Sequence, residues 1–584
     1  MKQLFRYLKD YKKEVVLAPL FKMLEASFEL IVPLVMAAMI DKGIAAGDRN
    51  IIFQNGGILL LLAMVGLVSS VTAQFFAAKA ATGFATELRH GLFAHIETLS
   101  YSDMDKVGNS TLITRMTSDI NQLQSGVNMV LRLFLRSPFV VFGAMVMAFT
   151  VDVKAALVFV VTIPLLSLVV FGIMLITMPM YKKVQKSLDE VLGHTRENLA
   201  GARVIRAFNR EDEEIETFEN SNRNLTNMQL LVGRISALMN PVTFIIVNAA
   251  TLCVLWIGGE KVLVGDLTQG DVIALVNYMS QILVELVKLA NLIIQITKAI
   301  ACGRRVQEVL EIQPSIINPM KQTKTGDYEY EVEFEKVFMS YADAAEPALS
   351  NINLKVKKGQ TIGIIAGTGS GKSTVVNLIP RYYDVSSGSV KVEGKDVREY
   401  DVTELRDKVA MVMQKAVLFK GTIAENLRWG KENATEEEMW EALSIAQAKD
   451  VVEGKEGQLD YMIEAGGKNL SGGQRQRLTI ARAVVKDADI LILDDSASAL
   501  DFATDAKLRA ALRTLKKDKT IFIVSQRTSS IQYADQILVL DDGEAVGVGT
   551  HEELLANCEV YREIYESQFK KEETQGAKAG KAGA

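Results

Sequence analysis

Residues 360–374 read QTIGIIAGTGSGKST. A run of apolar β-formers, TIGIIA, passes into a glycine-rich turn, and the turn passes into KSTVVNLI, which patterns as a helix. A phosphate-binding loop needs this order. Glycines let the backbone wrap an anion closely, and the first N–H groups of the helix lack intrahelical partners and can face it. The N–H groups from Thr368 to Lys372, through Gly369, Ser370 and Gly371, are expected around the phosphates. Lys372 would reach the β- and γ-phosphates, Ser373 would ligate Mg²⁺, and Thr374 completes the Lys-Ser-Thr run. The strict pattern puts glycine at 366, where this chain has Ala366, so Gly367 is expected to supply the flexibility.

Downstream, strands alternate with helices, which predicts an α/β domain. VAMVMQKAVLF (409–419) puts Gln414 at a strand end, where its amide oxygen could reach Mg²⁺ or an attacking water. LSGGQRQRLTIARAVV (470–485) carries Ser471, Gly472, Gly473 and Gln474 at the start of another helix, whose N–H groups also suit an anion. One chain needs only one phosphate loop. A second phosphate-facing helix start therefore points to ATP held across an interface with a partner domain. ILILDD (490–495) ends a buried strand in two carboxylates, Asp494 and Asp495.

Upstream the composition changes. The chain has 584 residues and is 49% hydrophobic, too long for one compact domain. Its apolar residues concentrate in the first 300. Six runs are long enough to cross about 30 Å of hydrocarbon: about 15–40, 56–80, 135–152, 154–178, 240–260 and 270–292. TVDVK (150–154) reads as a tight hairpin between the third and fourth. MKQLFRYLKDYKK (1–13) reads as a surface-lying amphipathic helix rather than a signal peptide. Basic residues at the N-terminus and in KKVQK (182–186), against a balanced 41–54 connection, place the N-terminus, the long connections and the C-terminal half in the cytoplasm. The connections about 81–134 and 179–239 are polar yet helical in pattern, so the membrane helices are expected to continue into the cytoplasm. The expected architecture is an all-α six-helix transmembrane domain over 1–310, a linker at 311–330 with two prolines, an α/β P-loop nucleotide-binding domain over 331–570, and a disordered tail, 571–584.

The net charge of −5 gives no hint of nucleic-acid binding. Three scattered cysteines, Cys253, Cys302 and Cys558, suit a reducing compartment, and none lies at metal-ligand spacing with the four histidines.

The order GTGSGKST, Gln414, LSGGQ, ILILDD resembles the ATP-binding cassette superfamily, and six spans before the cassette resemble a half-size exporter in a plasma membrane, of bacterial type. The resemblance implies that two cassettes close head to tail, with ATP and Mg²⁺ between one chain's phosphate loop and the other's LSGGQ. It implies adenine stacking on Tyr341 (in VFMSYADAAEPAL) and an interface loop at Asp501 (in SALD). It also implies short helices at YSDMDKVGNS (101–110) and LAGARVIRAF (199–208) that couple membrane and cassette.

In that family Asp494 would hold Mg²⁺ through water, and the next residue is normally Glu, the general base. Here it is Asp495, one methylene shorter, and a misplacement of about 1 Å can cost about 10²-fold. The strand TIFIVSQR (520–527) ends at Gln526 where the family has His, and Gln cannot relay protons. EAGGKN (464–469) lacks the family's Glu-Arg-Gly before LSGGQ. Together these resemble the degenerate half of heterodimeric multidrug exporters: a weak site of its own, and an intact LSGGQ for a partner half-exporter with Glu and His.

Within the spans, Glu285 lies in QILVELVKLANL with Lys288 three residues on, Glu25 and Glu29 lie in the first, and Arg132 and Arg136 start the third. Ionisable residues there are costly. Glu285 and Glu29 are candidate cavity residues for a small amphipathic cargo, and an internal Glu285–Lys288 pair is the structural alternative. Methionines in the spans suit a wall that accepts varied apolar ligands, or simple core filling. A lipid or peptide exporter, and a non-transporting ATP-binding regulatory subunit, remain open.

Overall fold

A computed structural model describes residues 3–319, 326–341, 344–367, 369–515 and 519–568. Thr368 and the tail 571–584 therefore lie outside the described residues. The chain divides into two compact units, Met1–Glu97 with Ser110–Ile312, and Thr98–Asn109 with Gln313–Ala584.

Among the described residues, the first unit is built from six helices long and apolar enough to cross a membrane: Leu4–Ile44, Arg49–Ile96, Asn109–Val151, Val153–Ala207, Glu211–Val264 and Gln269–Leu310. At about 1.5 Å per residue, even a helix of 42 residues runs to about 63 Å, twice the hydrocarbon thickness. The helices do extend well past their apolar windows. Close helix packing comes from small residues: Ala18 and Ala26 on the first helix and Ala73, Ala77, Ala80, Ala81 and Ala85 on the second are fully covered. The outer face of the second helix is the opposite. Leu60, Leu61, Leu67, Val68 and Val71 are all more than half exposed, a patch that suits lipid and not water. One residue, Asp152, turns the chain between the third and fourth helices. Its backbone is extended, its carboxylate accepts from the Ala155 N–H at 2.7 Å, and it pairs with Lys261.

The second unit carries a ten-stranded sheet. Its parallel core sets Thr361–Ala366 between Gln536–Asp541 and Thr520–Val524, followed by Ile490–Asp494 and Val409–Val412. An antiparallel part, Val332–Met339 with Leu349–Val356 and Ser387–Val392, covers the other end. Ile362, Ile364, Val376, Phe522 and Leu538 fill one core. Leu427, Leu443, Leu478 and Ile480 fill a second, which seats the helix Gly472–Val485.

Within the second unit, Tyr101–Val107 is a short helix with a reciprocal cap between Ser100 and Asp103. Asp103 also accepts from the Ser315 N–H at 2.9 Å. Burial works to raise the Asp103 pKa, but the hydrogen bonds from Ser315 and Ser100 outweigh it and hold it below the ordinary range. The other expected coupler, 199–208, has no separate helix. It is the end of Val153–Ala207 and the turn before Glu211–Ala237, with Leu199, Val204 and Phe208 exposed.

Candidate functional site

The phosphate loop leaves the sheet at Ala366. Ala366 is the last residue of its strand, pairs with Leu540 and is 4% exposed. It does not need a positive φ, so alanine is tolerated where the strict pattern has glycine. The glycine requirement moves downstream: Gly369 and Gly371 have φ of +90° and +84°, and a Cβ on Gly371 would lie 2.6 Å from the Ala348 carbonyl oxygen. Gly371 opens the helix Lys372–Leu378. The Lys372 ammonium donates to the carbonyls of Ala366, at 3.1 Å, and Gly367. Burial pushes its pKa down, and the Asp495 and Asp494 carboxylates work against that.

Ser373 Oγ donates to Asp494 Oδ1 at 3.0 Å. This places a hydroxyl and a carboxylate side by side at the strand end. Such a pair, completed by phosphate oxygens and water, fits Mg²⁺, which usually takes one or two carboxylates and keeps several waters. Burial raises the Asp494 pKa, and the neighbouring Asp495 adds to the shift. Asp495 itself sits at φ +44°, with its N–H on the Val524 carbonyl at 3.0 Å. Burial raises its pKa too, opposed by Lys372, by a hydrogen bond from Gln414 and by Arg527. So the loop lysine, the strand-end glutamine and both aspartates share one site.

On the other side, Tyr341 is half-buried, its hydroxyl is 2.9 Å from Thr374 Oγ1, and its ring meets Tyr383 edge-on at 5.2 Å. Tyr383 donates to Asp105 at 2.7 Å, and Tyr101 lies 4.8 Å from Tyr382. A row of tyrosines thus links Tyr341 to the helix Tyr101–Val107. Sequence reading missed Tyr382 and Tyr383, since nothing in RYYD signals a partner so far upstream.

Ser471 caps its helix through a reciprocal pair with Gln474: Ser471 Oγ accepts from the Gln474 N–H at 3.3 Å, and the Ser471 N–H donates to Gln474 Oε1 at 3.0 Å. A Cβ on Gly472 would meet nothing within 4 Å, whereas one on Gly473 would come 3.1 Å from the Ala499 carbonyl oxygen. Asp501 is exposed and caps the helix Phe502–Leu512 through the Thr504 N–H and hydroxyl, which hold its pKa down. Gln526 is exposed at the end of the strand beside Asp494.

In the membrane unit, Arg136 is 7% exposed and bridges two helices, with Glu285 at 2.7 Å and Glu29 at 2.6 Å. Lys288 lies 2.8 Å from Glu285, and Ser137 donates to Glu285 at 2.9 Å. Glu29, Gln281, Glu285 and Lys288 line a cavity of about 340 Å³ together with Met36. The sequence placed Arg136 at a membrane edge; which way it turns depends on helix rotation, which periodicity in so apolar a helix does not report.

Two families of known proteins match the chain. Residues 15–286 match the ABC transporter transmembrane region, and residues 349–498 match ABC transporter. YfiB of Bacillus subtilis, an uncharacterized ABC transporter ATP-binding protein, is 36% identical over 98% of this chain and 99% of its own length. An ATP-dependent lipid A-core flippase of Desulfotalea psychrophila is 34% identical over 82% of this chain and 84% of its own. YgaD of Bacillus subtilis, a putative multidrug export ATP-binding/permease protein, is 32% identical over 98% of each.

Proposed function

Because the chain belongs to the ABC transporter family, with the membrane region and the ATP-binding cassette of a half-exporter in one polypeptide, we propose that it works as the degenerate half of a heterodimeric exporter. The observation that carries this reading is the unequal equipment of its two ATP-facing surfaces. Asp495 and Gln526 stand where hydrolysis calls for a longer carboxylate and a proton-relaying imidazole, while Ser471 to Gln474 are intact. ATP and Mg²⁺ bind to the phosphate loop, Lys372, Ser373, Asp494, Gln414 and Tyr341, but turn over slowly there. The partner's ATP turns over against this chain's Ser471–Gln474. The cassette, the N-terminus and the long helix extensions lie on the cytoplasmic side of a plasma membrane.

The test is ATPase activity in membranes. Expressed alone, the chain should hydrolyse little; with its partner, activity should appear. Robust turnover by the purified single chain, abolished by Lys372→Ala, would overturn the heterodimer.

For cargo, the names of two relatives, lipid A-core flippase and putative multidrug export protein, support an amphipathic or lipid-like compound. Glu29, Arg136, Glu285 and Lys288 carry two charges of each sign. A balanced network does not attract a cation strongly; it orients a polar group within an apolar wall and ties three helices together. Glu285→Gln should therefore lower export of cationic and neutral compounds alike, because it leaves Arg136 short of a partner. A loss confined to cations would instead make Glu285 their binding carboxylate. Stimulation of the complex's ATPase by a panel of drugs and lipids separates the two cargo classes.

A further inference from the structure

After the last strand of the cassette, residues 559–568 form a helix. It is firmly seated. Tyr561 is fully buried with its hydroxyl 2.7 Å from His551 Nδ1, and it packs with Ile365, one residue before the phosphate loop, and with Ile531, just past residues 526–528. The last described turn brings Gln568 onto the backbone of residues 526–528. Gln568 Oε1 accepts from the Thr528 N–H and from Thr528 Oγ1, both at 2.9 Å, and Gln568 Nε2 donates to the Gln526 carbonyl at 2.7 Å. The orientation of the amide is determined by its partners, because a backbone N–H can only donate and a carbonyl can only accept. Nearby, the Ser525 N–H donates to the Ile364 carbonyl at 3.0 Å and the Arg527 N–H to Ser525 Oγ at 3.0 Å. The segment is thus held by the phosphate-loop strand on one side and by Gln568 on the other.

We propose that Gln568 is a positioning residue for the nucleotide site: by clamping the backbone on both sides of Arg527 it fixes where Gln526 is presented, and so how long this chain retains its ATP. The inference rests on the reading that the chain's own site binds ATP. A primary amide suits the task, since it offers an acceptor and a donor from one planar group without titrating.

The test uses the full complex in membranes, with radiolabelled 8-azido-ATP loaded, chased with unlabelled MgATP, and cross-linked to this chain at intervals. Gln568→Ala should speed release from this chain about fivefold, the scale of one or two lost hydrogen bonds. Gln568→Glu keeps the acceptor for Thr528 but sets a carboxylate against the Gln526 carbonyl, so it should release as fast as the alanine variant. Gln526→Ala should do the same, and the double variant Gln526→Ala, Gln568→Ala should be no faster than Gln526→Ala alone, because both act through one side chain. Additive effects in the double variant, or a lowered Tm with release unchanged in the glutamate variant, would overturn the positioning role. Wild-type release rates in every variant would overturn it while leaving ATP binding intact. A wild-type chain that takes no label sensitive to Lys372→Ala would overturn the ATP-binding reading and the proposal with it.

Discussion

At the phosphate loop, the chemistry depends on side chains that must reach: Lys372 and Ser373 from the first turn of a helix, the first on the loop's own carbonyls and the second 3.0 Å from Asp494, and Asp494 and Asp495 from a strand end, Asp495 at a left-handed backbone position. At Ser471–Gln474 it depends on a bare helix start, where a side-chain cap sets the geometry and Gly472 leaves open space. The two faces respond differently to substitution. A methylene more or less decides what a strand-end carboxylate can reach. At Ser471–Gln474 the side chains turn back to cap their own helix, so that face is lost only if something blocks it or unwinds it. A chain can therefore lose hydrolysis at one face and keep the other fully serviceable, which is the pattern the proposed function assigns here.

The largest effect should come from blocking the open face. A Cβ at Gly472 meets nothing in its own chain, and Val is no worse a helix former than Gly. Gly472→Val should therefore leave the Tm of the chain unchanged, yet reduce the complex's ATPase by about 10²-fold, as a misplacement of about 1 Å would. Calorimetry and steady-state turnover on one preparation check both halves. Unchanged turnover would mean that no phosphate approaches this face, and the comparison would collapse.

A smaller effect is expected from repairing the other face. Asp495→Glu with Gln526→His restores the reach of the base and the proton relay, and hydrolysis at this chain's own site should rise about tenfold. It can be isolated by disabling the partner's phosphate loop. Ala366 should not limit the gain, because it lies buried within the strand and needs no special φ. No rise would show that the weakness lies elsewhere, for instance in the partner's signature.

How much of this was visible in the sequence differs between the two units for physical reasons. Motifs such as GTGSGKST and LSGGQ are local, and their helix starts and turns follow from neighbouring residues, so the cassette and the turns and helix starts that carry those motifs could be read directly. The six membrane helices were legible because spanning hydrocarbon demands long apolar runs. What escaped were contacts set by helix rotation and by distant chain. Arg136 meets Glu285 across 149 positions and Gln568 meets Gln526 across 42. Nothing near either residue announces its partner. Tyr382 and Tyr383 drew no notice because their neighbour, the helix Tyr101–Val107, comes from far upstream. Ala366 is the reverse case: it departs from a motif, and its place at the end of a buried strand explains why that costs no backbone strain.

The smallest expected effect is the sharpest test of the difference between the faces. On the proposed function, Asp495 has the charge of a general base but not its reach. Burial holds its pKa up, Gln414 occupies its carboxylate, and the neighbouring switch position has Gln526 in place of an imidazole. Removing it leaves Lys372, Ser373 and Asp494 in place, the groups to which the proposed function gives MgATP binding. Asp495→Ala should therefore change the complex's turnover by only two- to threefold, roughly the size expected for losing one hydrogen bond, while ATP cross-linking to this chain persists. The partner's site, facing Ser471–Gln474, would continue to set the rate. Removal of a positioned base costs at least about 10²-fold. A loss of that size in Asp495→Ala would make the second aspartate catalytic and would render the two faces of this cassette equally competent.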